Sequence, residues 1–327
     1  MRNRNFGKSG LKVSELGFGA WAIGESSWGK QDDSESLKAL HRAAELGCTF
    51  IDTAQAYGEG HSESLIAKFR KEWKGGNLVV ATKTPPEGGS WPPTPYDSAD
   101  IAYPESYLRK NVEDRLRFLQ TDCLDILQLH TWTRAWNRDP GPLITLRKMQ
   151  KEGKIRHIGV STPEHDQNCV VDLMRNGWID SVQVIYNIFE QEPAAEILPV
   201  AAETGTGVIV RMAFDEGALT GKFTRDTVFP KEDFRSRYFR GDRLGRVVDR
   251  VEKVRKDLEG SDYSLPQAAL KFTLAHPAVS TVIPGVRSVV QAEANFPVSD
   301  MPDLPSPLLE KLHRHIWRRA IWYSSNW

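Results

Sequence analysis

The stretch LDILQLHTWTRAWNRDPGPLITLRKMQKEGKIRHIGV, residues 124–160, begins and ends with a strand-like apolar run and has a helical pattern between the two. This alternation is typical of βα units around a parallel sheet. Residues 7–10 predict a short N-terminal hairpin. Strand-like runs recur along the chain at 16–19, 49–52, 78–82, 124–129, 155–160, 181–185, 207–211 and 280–283. Eight such units predict a closed (β/α)8 TIM barrel.

Helix signals agree with this alternation. Residues 34–46 follow Asp33, a residue type that commonly caps helices, and precede Gly47, a residue type that commonly ends them. A second helix is indicated by one apolar stripe, formed by Val112, Leu116 and Leu119. Because no Pro/Gly-rich linker divides the chain into halves of different composition, the sequence predicts a single domain over residues 1–327.

The composition excludes several classes of protein. The chain has 327 residues, with 43 Lys plus Arg and 43 Asp plus Glu, so no net field attracts it to nucleic acid or an anionic membrane. Its three cysteines form no CxxC pair, which argues against a disulfide framework and a zinc site. The N-terminal residues lack the apolar core of a signal peptide, and no long apolar window follows. We therefore expect a cytoplasmic protein that contacts no membrane, nucleic acid or metal.

Three stretches exceed a minimal barrel, and each of them follows a strand: 84–104, 130–141 and 213–262. Loops after barrel strands lie on the C-terminal face, where ligands bind. Trp91 and Trp132 lie in these insertions, and Trp21 follows the first strand. These indoles predict an apolar substrate mouth, although surface aromatics that merely pack the loops on themselves are an equally good interpretation of any one of them.

A superficial dinucleotide fingerprint also lies near the start of the chain. Gly17, Gly19 and Ala22 spell G-x-G-x-x-A, and Asp52 closes the second strand. The fingerprint works only if a helix begins at the second glycine, because the pyrophosphate lies on that helix N-terminus. Residues 24–29, GESSWG, instead indicate a loop. A Rossmann fold is therefore the second choice.

Polar residues follow three consecutive strands. Asp52 ends one strand, Tyr57 lies five residues further in FIDTAQAYGEGHSES (50–64), Lys83 ends VVATK, and His130 ends LDILQLH. All four should face the same barrel mouth. Any one of them alone is most simply a solvated or locally bonded residue. As a set, they provide acid and base groups at one place.

With these motifs the chain resembles the aldo-keto reductase family, from Phe6 to about Asn295. The resemblance implies that Asp52, Tyr57, Lys83 and His130 form a catalytic tetrad. Tyr57 would donate the proton, and the Lys83 ammonium would lower its pKa by stabilising the tyrosinate. Asp52 would compensate the Lys83 charge, and His130 would orient the carbonyl oxygen.

The resemblance also implies a nicotinamide cofactor, NADPH, with NADH as the alternative. Ser161 and Thr162 match the segment that binds the carboxamide, as does Gln183, although Thr162 stands where the family usually has Asn. Arg211 occupies the place of an aromatic residue that often stacks on the nicotinamide ring, and a guanidinium can also stack on a ring.

The segment IPGVRSVVQAEAN, residues 283–295, resembles the family's adenosine-phosphate segment. Glycine lets backbone amides approach a phosphate, and a following helix favours anions. The matching contact positions are Gly285, Arg287, Gln291 and Asn295. Ala294 stands where an acidic residue often contacts the adenosine, so one contact is expected to be absent.

The C-terminal run 313–327 mixes basic and aromatic residues. We interpret it as a helix with Ile316, Arg319 and Ala320 on one face and a tail over the pocket mouth, without a polyanion partner. The implied function is reduction of an aldehyde or ketone, with a sugar-type carbonyl suggested by the Trp-rich mouth. The alternatives are a partner-binding barrel like the channel beta subunits, and a barrel hydrolase or lyase that uses Asp52 and His130.

Overall fold

An antiparallel hairpin covers one end of the barrel. In a computed structural model, which describes residues 1–24 and 28–319, β1 (Asn3–Asn5) pairs with β2 (Lys12–Ser14), as the sequence predicted. Phe6, at the hairpin turn, is fully buried and stacks on Phe50 with ring centroids 5.8 Å apart. The hairpin thereby closes the N-terminal end of the barrel, and leaves the opposite end for ligands.

Eight parallel strands follow in chain order around one sheet. They are β3 (Phe18–Gly19), β4 (Phe50–Asp52), β5 (Val79–Thr84), β6 (Leu124–Leu129), β7 (Ile155–Ser161), β8 (Ser181–Ile185), β9 (Gly207–Arg211) and β10 (Thr281–Val282). Parallel bridges from Leu16 to Val282 and from Gly19 to Gly285 join the last strand to the first. All eight predicted strands and the (β/α)8 barrel are confirmed, and the Rossmann alternative is wrong because α1 begins only at Asp33.

Helices follow the strands and pack on the outside of the sheet. They are α1 (Asp33–Glu45), α2 (His61–Glu72), α3 (Ala99–Ala102), α4 (Glu105–Leu119), α5 (Gly141–Lys151), α6 (Val171–Arg175), α7 (Ile197–Thr204), α8 (Arg235–Tyr238), α9 (Arg243–Leu258), α10 (Leu265–Leu274), α11 (Val289–Asn295) and α12 (Ser306–His313). None of the helices in the described ranges is long and apolar enough to cross a membrane.

Two helix boundaries differ from the sequence prediction. Asp32, not Asp33, caps α1, because its side chain accepts a hydrogen bond from the backbone N–H of Glu35. The predicted C-terminal helix containing Ile316 and Arg319 is also wrong, since α12 ends at His313 and residues 316–319 are not helical. Residues from Ala320 onward lie outside the described part of the chain.

Two of the predicted insertions contain α-helices. Residues 213–262 contain α9, whose Val247, Val251 and Val254 are buried one helical turn apart. The insertion 84–104 contains the short α3. The core has two parts, one between strands and helices and a smaller one inside the barrel around Phe6 and Phe50. This packing holds the C-terminal ends of the strands in fixed positions.

Candidate active site

The centre of the site is a buried ion pair. Lys83 is fully buried and its Nζ lies 2.6 Å from Oδ2 of Asp52, which is 2% exposed. The same ammonium donates to the carbonyl oxygen of Thr53 at 2.9 Å. Burial disfavours the charged form of Lys83, but attraction to Asp52 and Tyr57 outweighs it and raises the pKa of Lys83 above its ordinary value.

Two glutamines complete the surroundings of Asp52. Nε2 of Gln183, on β8, donates to Oδ1 of Asp52 at 2.7 Å, and Nε2 of Gln128, on β6, lies 3.4 Å from the same oxygen. Gln128 was missed by the sequence analysis, although a polar residue in the buried run LDILQL was a usable signal. Both amides hold the carboxylate in place for Lys83.

Tyr57 lies above this pair. Lys83 donates to the phenol oxygen of Tyr57 at 3.2 Å, and its Nζ lies 4.8 Å from the ring centroid. Burial is the largest influence and raises the pKa of Tyr57, and the Lys83 charge opposes this. The expected lowering by Lys83 is therefore present, but the expected net direction is wrong. Tyr57 keeps its proton at neutral pH, while Lys83 is placed to stabilise the tyrosinate that remains after donation.

Two glycines allow the backbone to pack closely around Tyr57. A Cβ on Gly24 would lie 2.6 Å from backbone atoms of Tyr57, and a Cβ on Gly58 would lie 2.2 Å from the Gly24 carbonyl oxygen. Gly58 also has φ of +73°, a region that favours glycine. The loops after β3 and β4 therefore touch through their backbones beside the phenol.

His130 directly follows β6, and its ring lies between two aromatic rings. The centroid of Tyr57 is 6.1 Å away and that of Trp91 is 5.0 Å away, both edge to face. Nδ1 of His130 is buried without a hydrogen-bond partner among the described residues. Burial, followed by the charges of Lys83 and Arg211, holds the pKa of His130 well below its usual range. His130 is therefore neutral at neutral pH, so that one of its two ring nitrogens carries a proton and the other does not.

An aromatic cluster lies beside Tyr57. The ring of Trp21 stacks on Tyr57 with centroids 6.0 Å apart, and it contacts Trp28 at 5.4 Å and Phe234 at 4.8 Å. Trp91 is 47% exposed. Trp21 and Trp91 thus lie next to the tetrad. Trp28 and Phe234 were not predicted, because nothing in the sequence of the loop after β3 or of the 213–262 insertion indicates where these rings will lie.

Trp132 has a different place from the one predicted. Its side chain is fully buried, packs edge to face on Trp136 at 5.2 Å, and donates from Nε1 to Oδ1 of Asn137 at 2.7 Å. The prediction that Trp132 lines the mouth is wrong, because its own loop encloses the indole. Trp132 therefore follows the alternative interpretation, in which an aromatic residue packs within its own loop.

The two hydroxyl residues predicted at the carboxamide differ in their bonding. Thr162 is buried and its hydroxyl donates to the carbonyl oxygen of Gln183 at 3.1 Å. Ser161 ends β7, and its hydroxyl makes no hydrogen bond within the described ranges. Ser161 therefore has a free polar atom for a ligand, whereas Thr162 supports the backbone of β8.

Arg211 ends β9 and points its guanidinium toward the loop after β7. Its Nη2 donates to the carbonyl oxygen of Thr162 and to Oε1 of Glu164, each at 3.1 Å. Its Nε is buried without a hydrogen-bond partner among the described residues. A buried donor without a hydrogen bond costs free energy. A ligand atom that accepts a hydrogen bond from Nε would remove this cost.

The predicted adenosine-phosphate residues lie together after β10. Gly285 has open space where a Cβ would be, and the backbone N–H of Arg287 donates to Oε1 of Gln291 at 2.9 Å. Nη1 of Arg287 donates to the Trp28 carbonyl oxygen at 3.1 Å, and no carboxylate of the described residues pairs with this guanidinium. Asn295 is 7% exposed at the end of α11. A glycine with open space beside an arginine is suited to a phosphate group.

Among the residues that the structure describes, no three or more His, Cys, Asp or Glu side chains form a group that could hold a metal ion. The polar groups at the strand ends are instead a carboxylate, an ammonium, a phenol, an imidazole and a guanidinium. A set of this kind can move a proton and stabilise a developing negative charge on oxygen.

Comparisons with known proteins agree with this chemistry. The family model described as the Aldo/keto reductase family matches residues 15–315. The chain is 31% identical over 309 residues to Aldo-keto reductase YhdN of Bacillus subtilis (strain 168), covering 90% of this chain and 87% of that protein. It is 26% identical over 312 residues to NADH-specific methylglyoxal reductase of Escherichia coli (strain K12), covering 90% and 92% respectively.

A solved structure is similar over nearly the whole chain. The glycerol dehydrogenase AKR11B4 from Gluconobacter oxydans superposes with a TM-score of 0.78 at 27% sequence identity. The match covers 97% of this chain and 96% of that one.

A neutral His130 predicts a specific pH dependence. His130→Ala should lower kcat/KM for a carbonyl substrate by about 10² to 10³, because an oxyanion hydrogen bond is lost. His130→Gln should lose less, since an amide N–H can donate in its place. Because the pKa of His130 is held well below 6.5, the pH profile of the wild type should show no ionisation of His130 between pH 6 and 8. An acid limb near pH 6.5 that is present in the wild type and absent from His130→Gln would contradict the neutral state.

Proposed function

Because the chain belongs to the aldo-keto reductase family, we propose that it reduces an aldehyde or ketone to an alcohol with NADPH, and that Tyr57 supplies the proton. Members of this family are NAD(P)H-dependent oxidoreductases that act on small carbonyl compounds. Our proposal adds three points to this general activity: the choice of NADPH, the role of each residue and the class of substrate.

The observation that carries the proposal is the contact between Lys83 and the phenol of Tyr57. A protonated phenol beside a buried ammonium is an acid whose conjugate base is stabilised where it forms. His130 is neutral and cannot compete as the stronger acid. Tyr57 is therefore the group best placed to protonate a carbonyl oxygen.

Each residue has a different part in the proposed reaction, according to its position in the site. A reduced nicotinamide, when bound, would supply the hydride for the carbonyl carbon. Tyr57 and His130 together hold the carbonyl oxygen, and Tyr57 donates its proton as negative charge develops there. Lys83 stabilises the resulting tyrosinate, and Asp52 keeps Lys83 in place. Trp21 and Trp91 flank the mouth and exclude water from the reacting atoms.

The polar atoms left without partners fit a nicotinamide cofactor. Ser161 ends β7 and Arg211 ends β9, and neither the Ser161 hydroxyl nor Arg211 Nε has a hydrogen-bond partner among the described residues, which leaves both atoms for polar groups of a ligand. Arg287 supports NADPH over NADH, because its guanidinium has no carboxylate partner in the described ranges. A relative named as NADH-specific makes NADH the alternative.

The substrate that we favour is a small hydroxylated or sugar-type carbonyl compound. Indole faces such as those of Trp21 and Trp91 suit the apolar faces of such molecules. Two similar proteins are named as a methylglyoxal reductase and a glycerol dehydrogenase, both for small oxygenated substrates. No observation favours the partner-binding alternative. The proposal is tested by a screen of aldehydes, ketones and ketosugars with both cofactors, in which the loss of reduced-nicotinamide absorbance is measured.

Replacing Tyr57 tests the proton donor. Tyr57→Phe should lower carbonyl reduction by at least about 10², because it removes the acid and keeps the ring. NADPH affinity, measured by fluorescence titration, should stay nearly unchanged. Tyr96→Phe is the matched control, since Tyr96 is 98% exposed and makes none of these contacts. Near-normal turnover in Tyr57→Phe would remove Tyr57 from its role.

Replacing Arg287 tests the choice of cofactor. Arg287→Ala should weaken NADPH binding by roughly ten- to a hundred-fold, because a charge-assisted hydrogen bond to phosphate is worth about 1.5 to 3 kcal/mol. NADH binding should change little, and Arg175→Ala, an exposed arginine on α6, should change neither. If both cofactors weaken together, Arg287 only holds the Trp28 loop, and wild-type preference for NADH would contradict the phosphate assignment.

A further inference from the structure

The strand that carries Lys83 has polar side chains on both of its faces. β5 is buried along its whole length, and successive side chains of a strand point to opposite faces. Lys83 points into the barrel, toward Tyr57. Thr82 and Thr84, on either side of it, therefore point outward, where they bond with side chains of α2 and α4. Both threonines are fully buried, so their hydroxyls depend on these partners.

Thr84 is joined to the segment before Tyr57 by a buried amide. Its Oγ1 donates to Oδ1 of Asn111, on α4, at 2.8 Å. Nδ2 of Asn111 donates in turn to Oε1 of Gln55, two residues before Tyr57. The backbone N–H of Gln55 donates to the carbonyl oxygen of Lys83 at 3.1 Å. Side-chain and backbone bonds together hold Gln55 against the end of β5.

Thr82 is joined to the segment after Tyr57 by a buried carboxylate. Its Oγ1 donates to Oε1 of Glu63, in the first turn of α2, at 2.6 Å. Nε of Arg115, on α4, lies 2.8 Å from Oε2 of the same carboxylate, and neither side chain of this pair is more than 2% exposed. Breaking a buried ion pair is strongly destabilising, so the threonine is the better residue to replace.

One face of α4 holds both ends of the segment that contains Tyr57. Asn111 and Arg115 are four residues apart, which places them on the same face of the helix. Asn111 bonds to one end of residues 55–63, and Arg115 pairs with the other. On its opposite side this segment touches the loop after β3, at Gly24. The phenol therefore lies on a segment that is fixed from two directions.

We propose that α4 positions the phenol of Tyr57 over the ammonium of Lys83, through a polar layer on the outer face of β5. This outer polar layer consists of Glu63, Thr82, Thr84, Asn111 and Arg115. Its bonds lie on the face of β5 opposite to Lys83, so its members are positioning residues and take no part in proton transfer. The inference rests on the proposed function, and a shift of about 1 Å at the reacting atoms can cost about 10² in rate.

Two replacements of Thr84 separate the effect of its hydroxyl from that of its shape. Thr84→Val keeps the shape and removes the hydrogen bond to Asn111, whereas Thr84→Ser keeps the hydroxyl and loses a methyl group. The single-turnover rate of methylglyoxal reduction with NADPH should fall about tenfold in Thr84→Val and stay within about twofold in Thr84→Ser, because only the first frees the Tyr57 segment. The Kd of NADPH should not change in either variant.

The pKa of Tyr57 is a second readout, which needs no substrate. NMR titration of ring-labelled tyrosine should give a higher pKa for Tyr57 in Thr84→Val than in the wild type, because the phenol moves away from the Lys83 ammonium. Thr273→Val is the matched control, since the Thr273 hydroxyl is also fully buried and donates to a backbone carbonyl within α10. This control should lower Tm as Thr84→Val does and leave the rate and the pKa unchanged.

A lower Tm of Thr84→Val with a wild-type rate and pKa would overturn the proposal, because the layer would then only stabilise the fold. A larger loss of rate in Thr84→Ser than in Thr84→Val would overturn it too, since packing and not hydrogen bonding would then matter. Thr82→Val makes the equivalent change beside Glu63 and decides by the same criteria if Thr84→Val does not fold. If the wild type reduces no carbonyl compound, the proposed function fails, whereas the pKa of Tyr57 still decides whether the layer positions the phenol.

Discussion

The buried ion pair between Lys83 and Asp52 is the constraint on which the rest of the site depends. Removing two charges from water costs several kcal/mol per ion, and their attraction repays this only when the remaining polar atoms are also bonded. Here Gln183 donates to the carboxylate, and the ammonium donates to the Thr53 carbonyl and to Tyr57. Three strands of the barrel are thus needed to keep one ammonium under one phenol.

The sequence predicted the parts that depend on local pattern. Strand-like runs in the sequence located all eight barrel strands. Because the carboxyl ends of barrel strands meet at one face, the sequence also predicted that Asp52, Lys83 and His130 lie close together. The parts it missed depend on contacts between distant segments. Trp132 is buried by its own loop, and the Trp28 ring packs on Phe234, which is distant from it in the sequence.

Electrostatics at the site also required the three-dimensional arrangement. From the motif alone, Lys83 was expected to lower the pKa of Tyr57, but the depth at which the phenol lies decides the net direction. The same depth keeps His130 neutral. Burial and charge thus act on two adjacent groups in different ways, and the roles proposed for Tyr57 as the acid and for His130 as a hydrogen-bond donor follow from this difference.

The most direct test of this account compares the pKa of Tyr57 in the wild type and in the double variant Asp52→Asn, Lys83→Met, which leaves no unpaired buried charge. NMR titration of ring-labelled tyrosine, with Tyr57→Phe to assign the signal, measures both values. We expect the pKa of Tyr57 to rise in the double variant, because the ammonium that stabilises the tyrosinate is gone. An unchanged pKa, together with wild-type turnover, would show that Lys83 and Asp52 do not control the proton of Tyr57.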